Sequence, residues 1–128
     1  MAQPVLVKED IEAGMELLRV LDAGHFPITG AAWIYFPDIE EWRLVIRSPR
    51  AEQNLQGALL DIAIAMDAAG DLRSRLDLSR LKLVPPGDRM LQAMGSVVHA
   101  TGLSNIRFSK NLINGIYIDD ALIYRLAA

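Results

Sequence analysis

Cysteine is absent from the 128 residues. That excludes disulfides and thiolate metal sites and is compatible with a reducing compartment. Long hydrophobic runs are also missing. The longest apolar-rich stretch, ALLDIAIAMDAA at 58–69, is interrupted by Asp61 and Asp67 and falls short of the roughly 20 residues that span a bilayer, so no membrane partner is expected. The opening MAQPVLVKEDIEAG has no basic flank followed by an unbroken apolar segment. No export signal is therefore expected, and a soluble cytoplasmic protein is the working expectation.

The familiar chemical motifs are missing too. No GxGxxG or GxxxxGK[ST] loop is present to cradle a phosphate, and there is no GxSxG elbow or HExxH pair. His25 and His99 each fall near the C-terminal end of an expected helix, where the helix dipole favours positive charge, and neither has a second ligand at zinc-site spacing. No cofactor and no metal site are expected. Nor is there a dense basic stripe for nucleic acid: across residues 71–89, Arg73, Arg75, Arg80, Lys82 and Arg89 stand against Asp71, Asp77 and Asp88, a weak footprint.

What is present is a chain 52% hydrophobic and 23% charged, long enough for one domain with its own core across 1–128. Net charge is only −3, but it is segregated. Residues 1–41 hold Lys8 and Arg19 against Glu9, Asp10, Glu12, Glu16, Asp22, Asp38, Glu40 and Glu41, or 2 − 8 = −6, leaving +3 for the rest. Such asymmetry favours head-to-tail association or a basic partner or, more plainly, a solvated acidic helix.

Apolar Ile11, Met15 and Leu18 recur on one helical face, acids fill the first turn, and Gly24 offers a stop, so a helix is expected over 8–22. ITGAAWIYF and EWRLVIRS read as a hairpin joined by FPDIEE. In its second strand Trp42, Leu44 and Ile46 share one face while Arg43, Val45 and Arg47 share the other. Ser48-Pro49 signals a second helix running on to Ala69, with Gly70 as its stop. LKLV reads as a short strand, and Asp88 as the cap of a third helix with Leu91, Met94, Val98 and Thr101 on one side and Gly102 after it.

Asn114-Gly115 is the strongest local signal, a type I′ turn between two strands. A two-residue turn there sets Ile113 opposite Ile116, Leu112 opposite Tyr117, Lys110 opposite Asp119, Ser109 opposite Asp120, Phe108 opposite Ala121 and Ile106 opposite Ile123. In that register Asp119 and Asp120 point to opposite faces, and Asp119 pairs with Lys110. The alternative places Asp119-Asp120 themselves at a turn. The expected fold is α+β, a mainly antiparallel sheet of about five strands with three helices in the order αββαβαββ.

The leading functional expectation concerns helix two. Besides its main stripe of Leu55, Leu59, Ile62, Met66 and Ala69, the opposite face carries Gly57, Leu60, Ile64 and Ala68. A helix apolar nearly all round needs cover on both sides, from a second helix of the same domain or from another subunit. Gly57, like Gly14 and Gly95, reads as a place where a neighbouring backbone comes close. This points to a non-catalytic protein-binding or regulatory domain whose partner is itself or another protein, as a homodimer or assembly subunit.

Trp33, Tyr35 and Trp42, with Arg43 and Arg47, form either a packed core edge or a second binding surface. Two lesser alternatives remain. Pro37-Asp38 followed by Glu40 and Glu41 partly resembles the metal-dependent nuclease pattern, in which Pro-Asp precedes an acid-x-lysine, and a hydrolase or nuclease of that kind would use Asp38, Asp119 and Lys110. Here the nearest acid-x-base is Glu41-Trp42-Arg43, and arginine does not readily yield a proton. The other alternative is a small-molecule-binding domain with its pocket between sheet and helices.

Overall fold

A computed structural model describes residues 4–127, so the first three residues of the opening segment lie outside it. Five strands form one sheet in the order β3-β2-β1-β5-β4: β1 Gly30–Phe36, β2 Glu41–Arg47, β3 Leu81–Val84, β4 Ile106–Ile113 and β5 Ile116–Leu126. β1 pairs antiparallel with β2 and β5, and β4 with β5. β2 and β3 are parallel, so the sheet is mixed. The chain between them runs through helices, the kind of crossover that parallel neighbours require.

Three helices match the expected number of long ones: α1 Lys8–Ala23, α3 Leu55–Ala68 and α5 Arg89–Gly95. Two single turns, α2 Arg50–Gln53 and α4 Leu72–Arg75, raise the total to five α-helices among the described residues, and a 3₁₀ turn spans Leu78–Arg80. Helix two was expected to be continuous from Pro49. It starts as expected, with Ser48 Oγ accepting from the Arg50 amide at 3.2 Å. At Asn54 it breaks, where φ is −160° and ψ 89°. The Asn54 amide closes α2 on the Arg50 carbonyl, and its side-chain oxygen caps α3 through the Gly57 amide at 3.0 Å. An asparagine competes for backbone partners in this way and favours a cap over a helix interior.

The end of α1 also departs from expectation. Gly24 keeps an ordinary φ of −87°, and the left-handed residue is His25, at φ 61°. Phe26 N–H bonds to the Leu21 carbonyl and His25 N–H to the Asp22 carbonyl, at 2.9 and 3.0 Å, the paired bonds of a Schellman stop. α5 begins as expected, with the Asp88 carboxylate accepting from the Leu91 amide at 3.1 Å. It ends at Gly95, well before Gly102. The chain is drawn away from helix by a bridge between Ala100 and Leu126.

Both sheet faces are covered. α1, α3 and α4 bury Leu17, Leu18, Leu21, Ile62, Met66 and Leu72 against Trp33, Trp42, Leu44, Ile46, Leu122 and Tyr124. α5 alone covers the other face, placing Leu91 and Met94 with Val45, Val84, Ile123 and Leu126. Because α5 is short, this second layer is partial.

Candidate functional site

The hairpin register is the expected one: Ile113↔Ile116, Leu112↔Tyr117, Ser109↔Asp120, Phe108↔Ala121 and Ile106↔Ile123. Asn114 and Gly115 have φ of 51° and 80°, as a type I′ turn requires. Lys110 Nζ reaches Asp119 at 3.4 Å. The alternation is nonetheless broken at this point. Ile118 and Ala121 join the same core although only two residues separate them, and Lys110 opposite has φ 52°. Asp119 and Asp120 are therefore not simple opposite-face neighbours. Arg107 holds Asp120 through two bonds, at 3.0 and 2.7 Å, and its guanidinium lies 5.5 Å from the Trp42 ring centre. Each aspartate has its own cation, which raises the pKa of Arg107 through the Asp120 bond.

Asp38 lies in the exposed turn between β1 and β2. The carboxylates that act on Tyr35, whose hydroxyl is pushed up by burial, are Glu40 and Asp119. Among the described residues no group of three His, Asp or Glu side chains is close enough to hold a metal ion. Of the trio Asp38, Asp119 and Lys110, the last two form an ion pair and Asp38 lies in an exposed turn.

The aromatic hairpin is core. Trp33 is fully buried, and Tyr35, Trp42 and Arg47 are buried as well. Guanidinium groups lie over the rings, Arg80 4.6 Å from the centre of Trp33 and Arg107 5.5 Å from that of Trp42. Trp33 Nε1 donates to Tyr124 Oη at 3.0 Å, and Tyr124 Oη donates to the Ile11 carbonyl. Trp42 Nε1 donates to the Pro4 carbonyl at 2.8 Å. Arg47 donates to Thr29 Oγ1 at 3.0 Å and to the Thr29 and Ala127 carbonyls at 2.8 Å each. Burial pushes its pKa down, and the carbonyl acceptors make it a tie between strands. Arg43 alone of this group is half-exposed.

Helix α3 presents the other expected surface. Ala58, Ile62 and Met66 are fully buried on its inner side. On its outer side Leu60 is 60% and Ile64 56% exposed, Ala68 is exposed, and Gly57 is half-buried. The strip is flanked by two ion pairs, Arg50–Asp61 and Arg73–Asp67, each at 2.7 Å. Gly57 has a local explanation: a Cβ there would stand 2.5 Å from the Asn54 side chain that caps the helix. Close approach by a neighbouring backbone is not needed to account for it.

Two further apolar side chains, Leu112 at 71% and Tyr117 at 52%, are exposed across the tip of the β4–β5 hairpin. β4 is an open edge, and its lysine at positive φ is a feature that discourages strand addition. Among the described residues no helix is long and apolar enough to cross a membrane. No protein-family model matches the chain, and comparison with curated proteins and with solved structures gave no match.

Proposed function

We propose that this chain is a small protein-binding domain that pairs with a second copy of itself through the outer face of α3. The observation that carries the reading is the exposure of Leu60 and Ile64 on a helix whose opposite side buries Ala58, Ile62 and Met66 in the core. Large aliphatic side chains aligned one turn apart on a helix surface are the usual form of a docking stripe.

Self-pairing is favoured by the sequence of the strip. An antiparallel arrangement about Ile64 sets Ile64 against its own copy and Leu60 against the small Ala68, so large meets small. It sets position 61 against 67. Those two aspartates are already held by Arg50 and Arg73, so each protomer presents a neutralised pair, and the two pairs meet as alternating charges. Such self-complementarity is what a two-fold interface requires.

A single helix pair buries less than the roughly 800 Å² per partner of a standard interface, so a dissociation constant on the order of micromolar is expected. Sedimentation over a concentration series reads it directly. Wild type is expected to pass from monomer to dimer, and Ile64→Asp to remain monomeric with an unchanged circular dichroism spectrum. A wild-type protein that stays monomeric at high concentration and tolerates Ile64→Asp without change would remove the basis of this reading.

A further inference from the structure

We propose that the partly uncovered end of the second sheet face, on the far side from α3, binds a small organic monoanion, a carboxylate carried on a flat apolar body. The residues are Phe36, Ile39, Arg43 and Lys82, which line one open cavity of about 320 Å³, within the range of small-ligand pockets.

The placement follows from the strand register. Lys82 lies opposite Val45 in the parallel pairing of β2 with β3, and Arg43 is two residues before Val45 on the same face. The two cations are therefore diagonal neighbours on adjacent strands, on the order of 7 Å apart at the backbone. α5 covers this face near Val45 and Val84 and leaves the Arg43 end open. Arg43 remains half-exposed there, while Arg47 on the same strand is buried.

Three features make the place receptive. Lys82 has no carboxylate within ion-pair distance among the described residues; its ammonium stands 5.1 Å from the centre of the Phe36 ring. Arg43 keeps part of its guanidinium in solvent, the side chain being 34% exposed; Nη2 donates to Glu41 Oε2 at 3.0 Å, while Nε is buried and out of a ligand's reach. Ile39, in the turn beyond β1, is 49% exposed and forms with Phe36 an apolar wall beside the charges. A carboxylate is the acceptor that a partly exposed guanidinium and an ammonium share most readily. Glu41 already neutralises one of the two positive charges, so the remaining charge matches a monoanion. The flat body lies along Phe36 and Ile39.

The test titrates ¹⁵N-labelled full-length protein with benzoate, with benzamide as the uncharged counterpart and phenyl phosphate as the more highly charged one. Benzoate is expected to give saturable shifts at the amides of Phe36, Ile39, Arg43 and Lys82, with benzamide about tenfold weaker, the scale of a hydrogen bond to a charged group. Lys82→Gln is an exposed change that keeps the fold, and it is expected to weaken benzoate about tenfold. Arg43→Gln should act in the same direction, but because its side chain is half-buried, the lysine variant and the benzamide comparison decide the matter. Equal binding of benzamide, wild-type affinity in Lys82→Gln, shifts centred elsewhere, or no saturable shift would each overturn the proposal. Tighter binding of phenyl phosphate would overturn the assignment of a monoanion.

Discussion

The three glycines inside or ending helices illustrate how differently one residue type can be used. A Cβ on Gly14 would lie 2.6 Å from Tyr124 Oη and 2.8 Å from Trp33 Nε1, atoms held in place by their own hydrogen bonds. α1 can sit on the sheet at this height only because position 14 has no side chain. Gly14→Ala is therefore expected to destabilise the protein by about 1–3 kcal/mol, the usual cost of overpacking, even though alanine is the better helix former by about 1 kcal/mol. Urea denaturation measures this, with Gly95→Ala as the comparison. Nothing stands within 4 Å of a Cβ at Gly95, and that substitution is expected to be neutral or stabilising. The sequence suggested a neighbouring backbone close to Gly14; what lies there instead are the side chains of Trp33 and Tyr124, far along the chain and therefore not legible.

At the scale of the element, α3 shows where sequence patterns carry information and where they stop. The apolar stripe, the Gly70 stop at φ 68° and the apolar character of the second face follow from local periodicity and were readable; that no helix of the described residues covers Leu60 and Ile64 was not. The break at Asn54 was not, because an asparagine inside an apolar helix pattern is compatible with both a surface position and a cap. Asn54 and Gly57 act as one unit, the side chain of the first filling the space a Cβ on the second would need. Gly57→Ala is expected to be close to neutral, since a helix gain of about 1 kcal/mol offsets a lost cap of about 1 kcal/mol. In an Asn54→Ala background the same substitution should stabilise by about 1 kcal/mol, because no cap remains to be displaced. A double-mutant cycle in thermal or urea unfolding reads this coupling, and additive effects would show that the two residues are independent. The same limit applies to the cleft beside β3. Lys82 in LKLV carried no signal by itself, and only the parallel pairing of β2 with β3 brings it beside Arg43.

Over the whole molecule, the segregated charge of the sequence is used within the fold. Acidic α1 meets basic residues from the second half of the chain: Asp10 with Arg80 at 3.0 Å, Glu16 with Arg75, and Asp22 with Arg125 at 2.7 Å. A −6 segment followed by a +3 remainder reads as a docking asymmetry only while the chain is linear. Once folded, part of it becomes the attachment of α1 to α4, the 3₁₀ turn and β5. These pairs are partly exposed and individually weak. The deeper tie is Tyr124, fully buried between Trp33 and the Ile11 carbonyl, where it joins β1, β5 and α1. Burial raises its pKa above the ordinary value of 10.0. The unfolded chain then loses the Tyr124 proton near pH 10 while the folded chain keeps it. Stability from this group is complete below pH 10 and is lost as pH rises toward the folded value, by about 1.4 kcal/mol per pH unit in that window. Thermal unfolding of wild type and Tyr124→Phe between pH 8 and the alkaline limit separates this contribution from the general loss of lysine charge. The variant should be less stable at pH 8, having lost two hydrogen bonds, and should decline less steeply above pH 10. Parallel declines would mean that Tyr124 ionises as readily in the folded protein as in the unfolded chain, and that α1 does not shield it from water.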